Sequence, residues 1–170
     1  VMRDSGETFS LNAPVTGNGG LTTGGAGTVT LQGTTNTFSG RTLVSEGELN
    51  VENGGAITQT AEVIVDGLSD NDATLRIDGA GSSVTTAGTV TLGQGGVGKG
   101  KLILSGGGQL TAAGLEGDTR SDGIRFDQGT LEITATDTTA NDLTLQPGGG
   151  TVSVRDSGEA TSRAISGSFS

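Results

Sequence analysis

Gly93, Gly98 and Lys99, in the stretch GQGGVGKG, stand at the spacing of the first part of a phosphate-binding loop, G-x-x-x-x-G-K-[ST], and a strand-like TVTL leads into it. In such loops main-chain amides cradle phosphate oxygens, the lysine reaches the outer phosphates, a hydroxyl holds Mg²⁺ and a helix follows. Gly100 takes the hydroxyl's place here, and the KLILSGGG that follows reads as a strand. The stretch is therefore read as a turn joining two strands, with Lys99 directed into solvent.

Carboxylates are the other residues that could do chemistry. DGLSDND gathers Asp66, Asp70, Asp72 and Asn71 in one loop, a set of hard oxygen donors suited to Ca²⁺. It lacks the spaced ligands and closing Glu of an EF-hand and the glycine-rich repeat of calcium β-rolls, so it reads as a solvated acidic loop. Polysaccharide cleavage would need two carboxyls at a defined separation, drawn from Asp66, Asp70, Asp72, Asp78, Asp118, Asp122 and Asp127. With 4 Phe and no Trp or Tyr, the chain offers little surface for stacking on sugars. The absence of Cys and His removes disulfides, thiolate or imidazole metal sites and the Ser-His and Cys-His nucleophilic pairs. No residue is assigned a catalytic, cofactor-binding or metal-binding role, and the chain is read as a non-enzyme without a cofactor.

The elements that would position these groups are short. Only 31% of the 170 residues are hydrophobic, 33 are Gly, and the net charge is -10. That charge disfavours nucleic acid, whose phosphates demand cationic partners. No apolar run reaches the length of a membrane-spanning helix, and the first ten residues lack the basic and apolar regions of a signal peptide, so no direct membrane insertion is expected. Residues 1–170 read as a single segment cut from something longer.

The apolar residues fall in short alternating runs rather than at random. GTVTLQG from Gly27, GELNVENGG from Gly47, ATLRIDGAG from Ala73, GTVTLGQGG from Gly88, GKLILSGGG from Gly100, GTLEITA from Gly129 and GTVSVRDSG from Gly150 each predict one strand and a turn. Pairs such as Leu49 and Val51, Leu75 and Ile77, or Leu102 and Leu104 point to one side. Two or three apolar side chains per strand cannot hold a free sheet together, but equivalent strands stacked in ladders can. LNVENGGAIT also aligns with LILSGGGQLT, with Gly-Gly at the corner between two strand segments.

The expectation is an all-β chain, a right-handed parallel β-helix, with an antiparallel β-sandwich as the alternative. A helical turn is predicted only around Ala112 to Gly117, and longer loops at Gly67 to Asp72 and Leu115 to Ile124. Abundant Thr and Ser are expected to face solvent or form hydroxyl ladders. RDSGE occurs at Arg3 to Glu7 and again at Arg155 to Glu159. Repetition on that scale would leave open coil edges able to stack end to end.

TNTFSGRTLVSEGELNV, Thr35 to Val51, resembles the autotransporter-associated β-strand repeat, with Asn36, Thr37, Phe38, Ser39, Gly40, Gly47, Leu49 and Val51 on its pattern and Arg41 where a small residue is more usual. The segment from Ala73 to Leu110 is similar to a second repeat of type V secretion passengers. The resemblance implies part of a Gram-negative autotransporter passenger, secreted or held at the cell surface through an outer-membrane barrel. Its implied partners are a protein or glycan on host cells, or sister molecules.

Overall fold

The computed structural model describes residues 6–67, 70–95, 97–117, 120–134, 143–145 and 148–154. Its strands follow one another coil by coil. The first coil holds β1 (Thr8–Leu11), β2 (Thr16–Gly17) and β3 (Leu21–Thr23), and the second β4 (Thr28–Leu31), β5 (Thr37–Phe38) and β6 (Thr42–Val44). The third holds β7 (Gly47–Val51), β8 (Ala56–Thr60) and β9 (Val63–Val65), and the fourth β10 (Ala73–Asp78), β11 (Ser83–Thr86) and β12 (Thr89–Leu92). Then come β13 (Gly100–Ser105), β14 (Gln109–Ala112) and β15 (Gly114–Gly117), followed by β16 (Ser121–Asp127), β17 (Gly129–Ile133), β18 (Leu143–Leu145) and β19 (Gly150–Val154).

Up to β16 every third strand pairs in parallel, and beyond it β16 pairs with β18 and β17 with β19, which makes three faces. The first is a 7-stranded sheet, β1-β4-β7-β10-β13-β16-β18. The second runs β8-β11-β14-β17-β19 and continues through an Asn36–Ile57 bridge to the β2-β5 pair, and the third is β3-β6-β9-β12-β15. The chain is thus an all-β parallel solenoid of about six turns. An antiparallel sandwich is ruled out, since among the described residues the strand pairs are parallel and the one antiparallel bridge, Ser105 to Gln128, lies outside them.

Alternation explains the core. β10 buries Ala73, Leu75 and Ile77 while Thr74, Arg76 and Asp78 face outward. Stacked in register, Val29, Leu49, Leu75, Leu102 and Ile124 form one inner row, and Leu31, Val51, Ile77, Leu104 and Phe126 a second. The second face supplies Ile57, Val84, Leu110 and Leu131, and the third Val44, Val65 and Leu92, all of them buried. Each such side chain stabilises the fold by about 1.5–3 kcal/mol relative to exposure, so rows of neighbours replace the thick core of an ordinary domain.

The Gly-Gly corner works by two different means. Asn53 and Gly54 take positive φ of 55° and 78°, as Gly106 and Gly107 do at 58° and 93°, turning the chain from the first face to the second. The glycine that follows, Gly55 or Gly108, lies against the carbonyl of Leu31 or Ile77 in the preceding coil, where a Cβ would not fit.

Two local expectations are corrected. Ala112 to Gly117 is not helical: it closes β14 and forms β15, where Leu115 pairs with Val90. The proposed loop from Leu115 to Ile124 is mostly strand, because Leu115–Gly117 belong to β15 and Ser121–Ile124 to β16. Ladder pairing overrides the helix preference of two alanines and a glutamate. The second RDSGE copy, Arg155 to Glu159, lies outside the described residues, as do Arg3, Asp4 and Ser5 of the first copy and Asp118.

Candidate functional site

Two seven-residue corners between the third and first faces, 66–72 and 93–99, stack on one another. In the 93–99 loop Gly93 N–H donates to Val65 O (2.8 Å), Gln94 N–H to Asp66 Oδ1 (3.0 Å), Gly98 N–H to Gly67 O (2.8 Å) and Lys99 N–H to Asp72 Oδ1 (2.8 Å). The amides that a phosphate loop would aim at its ligand are here aimed at the coil below. Two of their four acceptors are carboxylates, so the anions this loop cradles are the chain's own. A strand, β13, follows it, as the sequence predicts.

The same bonds give the acidic loop its role. Asp66 is 5% exposed and Asp72 exposed, and each spends an oxygen on the neighbouring loop. Asp70 is exposed on the same corner. Among the described residues no three acidic groups converge in a way that could hold a metal ion.

Lys99 does not simply point into solvent. Its Nζ lies 3.3 Å from Asp122 Oδ1, while Lys101 Nζ is 2.5 Å from Asp122 Oδ2. The Lys101 ammonium lowers the Asp122 pKa, partial burial pulls the other way, and Lys99 adds to the lowering.

From this corner the outer surface of the first face carries a polar network along the axis. Arg76 Nε donates to Glu48 Oε1 (3.2 Å), its Nη1 reaches Ser105 Oγ (3.5 Å), and Ser105 Oγ donates to Asp78 Oδ1 (2.5 Å). Gln32 Nε2 and Asn50 Nδ2 donate to the two oxygens of Glu52, at 2.9 Å and 2.7 Å. Of the sequence-derived carboxylates, Asp78, Asp122 and Asp127 share this face, on β10 and β16, whereas Asp66, Asp70 and Asp72 belong to the corner loop.

Sequence reasoning passed over Glu48, Glu52, Arg76, Lys101 and Ser105. Their signal is the outward half of each alternation: Glu48, Thr74 and Lys101 occupy equivalent register positions, as do Asn50, Arg76 and Ile103.

Asn36 has a different task. It replaces the apolar member of the second-face row and is fully buried. Its Oδ1 accepts from Val15 N–H, and its Nδ2 donates to Gly33 O and Ala56 O, each at 2.9 Å, so one amide ties three coils. Beside it Phe38 is buried, and Gly40 packs so closely on the first coil that a Cβ would come 2.5 Å from Gly20 N. The threonines divide likewise: Thr42 Oγ1 meets Thr60 Oγ1 at 3.0 Å inside the solenoid, and Thr23 Oγ1 is buried without a hydrogen-bond partner, while Thr58 and Thr85 face solvent.

Taken together, the geometry is a parallel β-solenoid whose carboxylates bind its own amides, amide side chains and cations. No protein-family model, no curated protein and no solved structure matches the chain.

Proposed function

We propose that this segment is a structural rod in an exported autotransporter passenger of a Gram-negative bacterium, secreted or held at the cell surface. There it supports adhesion, self-association or host contact by carrying corner loops away from the cell. The observation that carries the reading is the pair of inner rows from Val29 and Leu31 to Ile124 and Phe126, repeated coil upon coil. Parallel coils tied by main-chain hydrogen bonds resist bending, and length grows by adding coils. The resemblance at Thr35 to Val51 supports the exported setting, and Asn36, Phe38 and Gly40 all do structural work in tying coils together.

A passive stalk or secretion scaffold is the second reading, favoured by Asp66 and Asp72 being spent on the chain's own amides. Displaying the parent passenger on cells separates the two. Replacing residues 66–72 with a Gly-Ser segment abolishes binding to host matrix or sister cells if this corner is adhesive, and leaves binding unchanged if the rod is passive. Leu75→Asp lowers surface display in both cases, and unchanged display would overturn the rod. The reading is non-enzymatic, so release of reducing ends from an oligosaccharide panel would also defeat it.

A further inference from the structure

The sequence contains two Asn-Gly pairs, Asn18–Gly19 and Asn53–Gly54. Such pairs are the most open to internal attack on the asparagine amide, because glycine adds no side chain to hinder its own nitrogen. The fold treats them differently. Asn53 donates from Nδ2 to Glu52 Oε1 (3.3 Å), and the attacking nitrogen, Gly54 N, donates to Ser82 Oγ (3.1 Å) on a fully buried serine. Asn18 and Gly19 are both exposed at the corner between the second and third faces. Among the described residues neither the Asn18 side chain nor the Gly19 N–H makes a hydrogen bond.

We propose that Asn18 is a self-modification site whose only co-reactant is water. The Gly19 main-chain nitrogen loses its proton and bonds to Asn18 Cγ, and the Cγ–Nδ2 bond breaks to release ammonia. Water then opens the five-membered imide at either carbonyl, leaving aspartate or isoaspartate. The net change replaces NH₂ by OH and adds one negative charge to the first coil. Asn53 has the same local sequence but is held back, because its attacking nitrogen must first leave the Ser82 hydroxyl.

Folded protein incubated in mildly alkaline buffer and followed by peptide mapping with mass spectrometry tests this directly. Asn18 should convert about tenfold faster than Asn53, the factor expected from one held N–H. In denaturant the two rates should converge. Gly19→Ala provides the second arm: its φ lies outside the left-handed region and a Cβ there meets nothing within 4 Å, so the fold tolerates it. That variant should slow Asn18 and leave Asn53 unchanged. Equal rates in the folded protein, a rate gap that persists in denaturant, or an unchanged Asn18 rate in Gly19→Ala would each overturn the proposal.

Discussion

Thr28–Leu31 and Thr89–Leu92 are the same tetrapeptide, TVTL, with the same burial pattern, and they stand on different faces. β4 lies between β1 and β7 on the first face, while β12 lies between β9 and β15 on the third. Both bury a Val and a Leu in an inner row. They part company at their exits. Leu31 leads to the tight corner clamped by Asn36, and Leu92 leads to the 93–99 loop whose amides grip Asp66 and Asp72. A strand's alternation decides what faces inward, and the corners decide where around the coil the strand sits.

If the two strands are interchangeable as core, Leu31→Ala and Leu92→Ala should cost alike. Both side chains are fully buried, and each truncation should destabilise by about 2–5 kcal/mol, the two agreeing within about 1 kcal/mol. Urea unfolding of the two variants checks it. A clearly smaller loss at Leu92 would mean that the third face is a weaker wall than the first.

The two exits should then differ. Asn36→Leu offers an apolar side chain to a row whose other members are Ile57, Val84, Leu110 and Leu131, yet it removes three hydrogen bonds and leaves Val15 N–H without its acceptor. We expect a loss of about 2–3 kcal/mol. A neutral or stabilising result in thermal unfolding would show that packing, not the amide clamp, sets that corner.

How much of this was legible in the sequence follows the same division. Alternation at Leu49/Val51, Leu75/Ile77 and Leu102/Leu104 is local, and it led correctly to stacked parallel strands. The seven similar blocks, however, do not mark one position of the coil. Those starting at Gly27, Gly47, Ala73 and Gly100 lie on the first face, the one at Gly88 on the third, and those at Gly129 and Gly150 on the second. Nothing within a block carries that information. The partners of the acidic loop were hidden for a related reason, since Asp66 and Asp72 meet amides 28 and 27 residues away. β15 was missed because Leu115 is its single bulky apolar residue, and its strand character comes from pairing with β12.

The exit of β12 has its own test at Asp66. This nearly buried carboxylate accepts Gln94 N–H, a charge-assisted bond that anchors one loop on the next. Asp66→Ala should cost about 1.5 kcal/mol. Hydrogen exchange should speed up at Gln94 and leave Leu31 unaffected. Equal acceleration at both would mean that the corner and the core open together.

The row that holds Leu92 also contains an exception that can be repaired. In register with Val44, Val65 and Leu92, Thr23 buries a hydroxyl that has no partner. Thr23→Val keeps the shape and should raise stability by about 1 kcal/mol. A loss measured by calorimetry would show that the hydroxyl is satisfied in solution.

The smallest effect concerns how far the β12 exit reaches along the axis, from Lys99 to Asp122 on β16. Because Lys101 and then Lys99 hold the Asp122 pKa below its ordinary value, the folded form binds its proton less readily than the unfolded chain. The resulting stability is fully present above the unfolded aspartate pKa, about 3.9, and is lost as pH falls through the lower folded value. The pair is partly exposed and screened by solvent, so the contribution is a few tenths of a kcal/mol. Wild type and Asp122→Asn should therefore differ slightly at neutral pH and converge in acid, and added salt should narrow the gap at neutral pH. Lys99→Ala should remove only part of it, since Lys101 makes the shorter contact. If Lys99→Ala abolished the whole difference, the loop and not β13 would be what fixes Asp122, and the corner's influence would extend a full coil beyond its own amides.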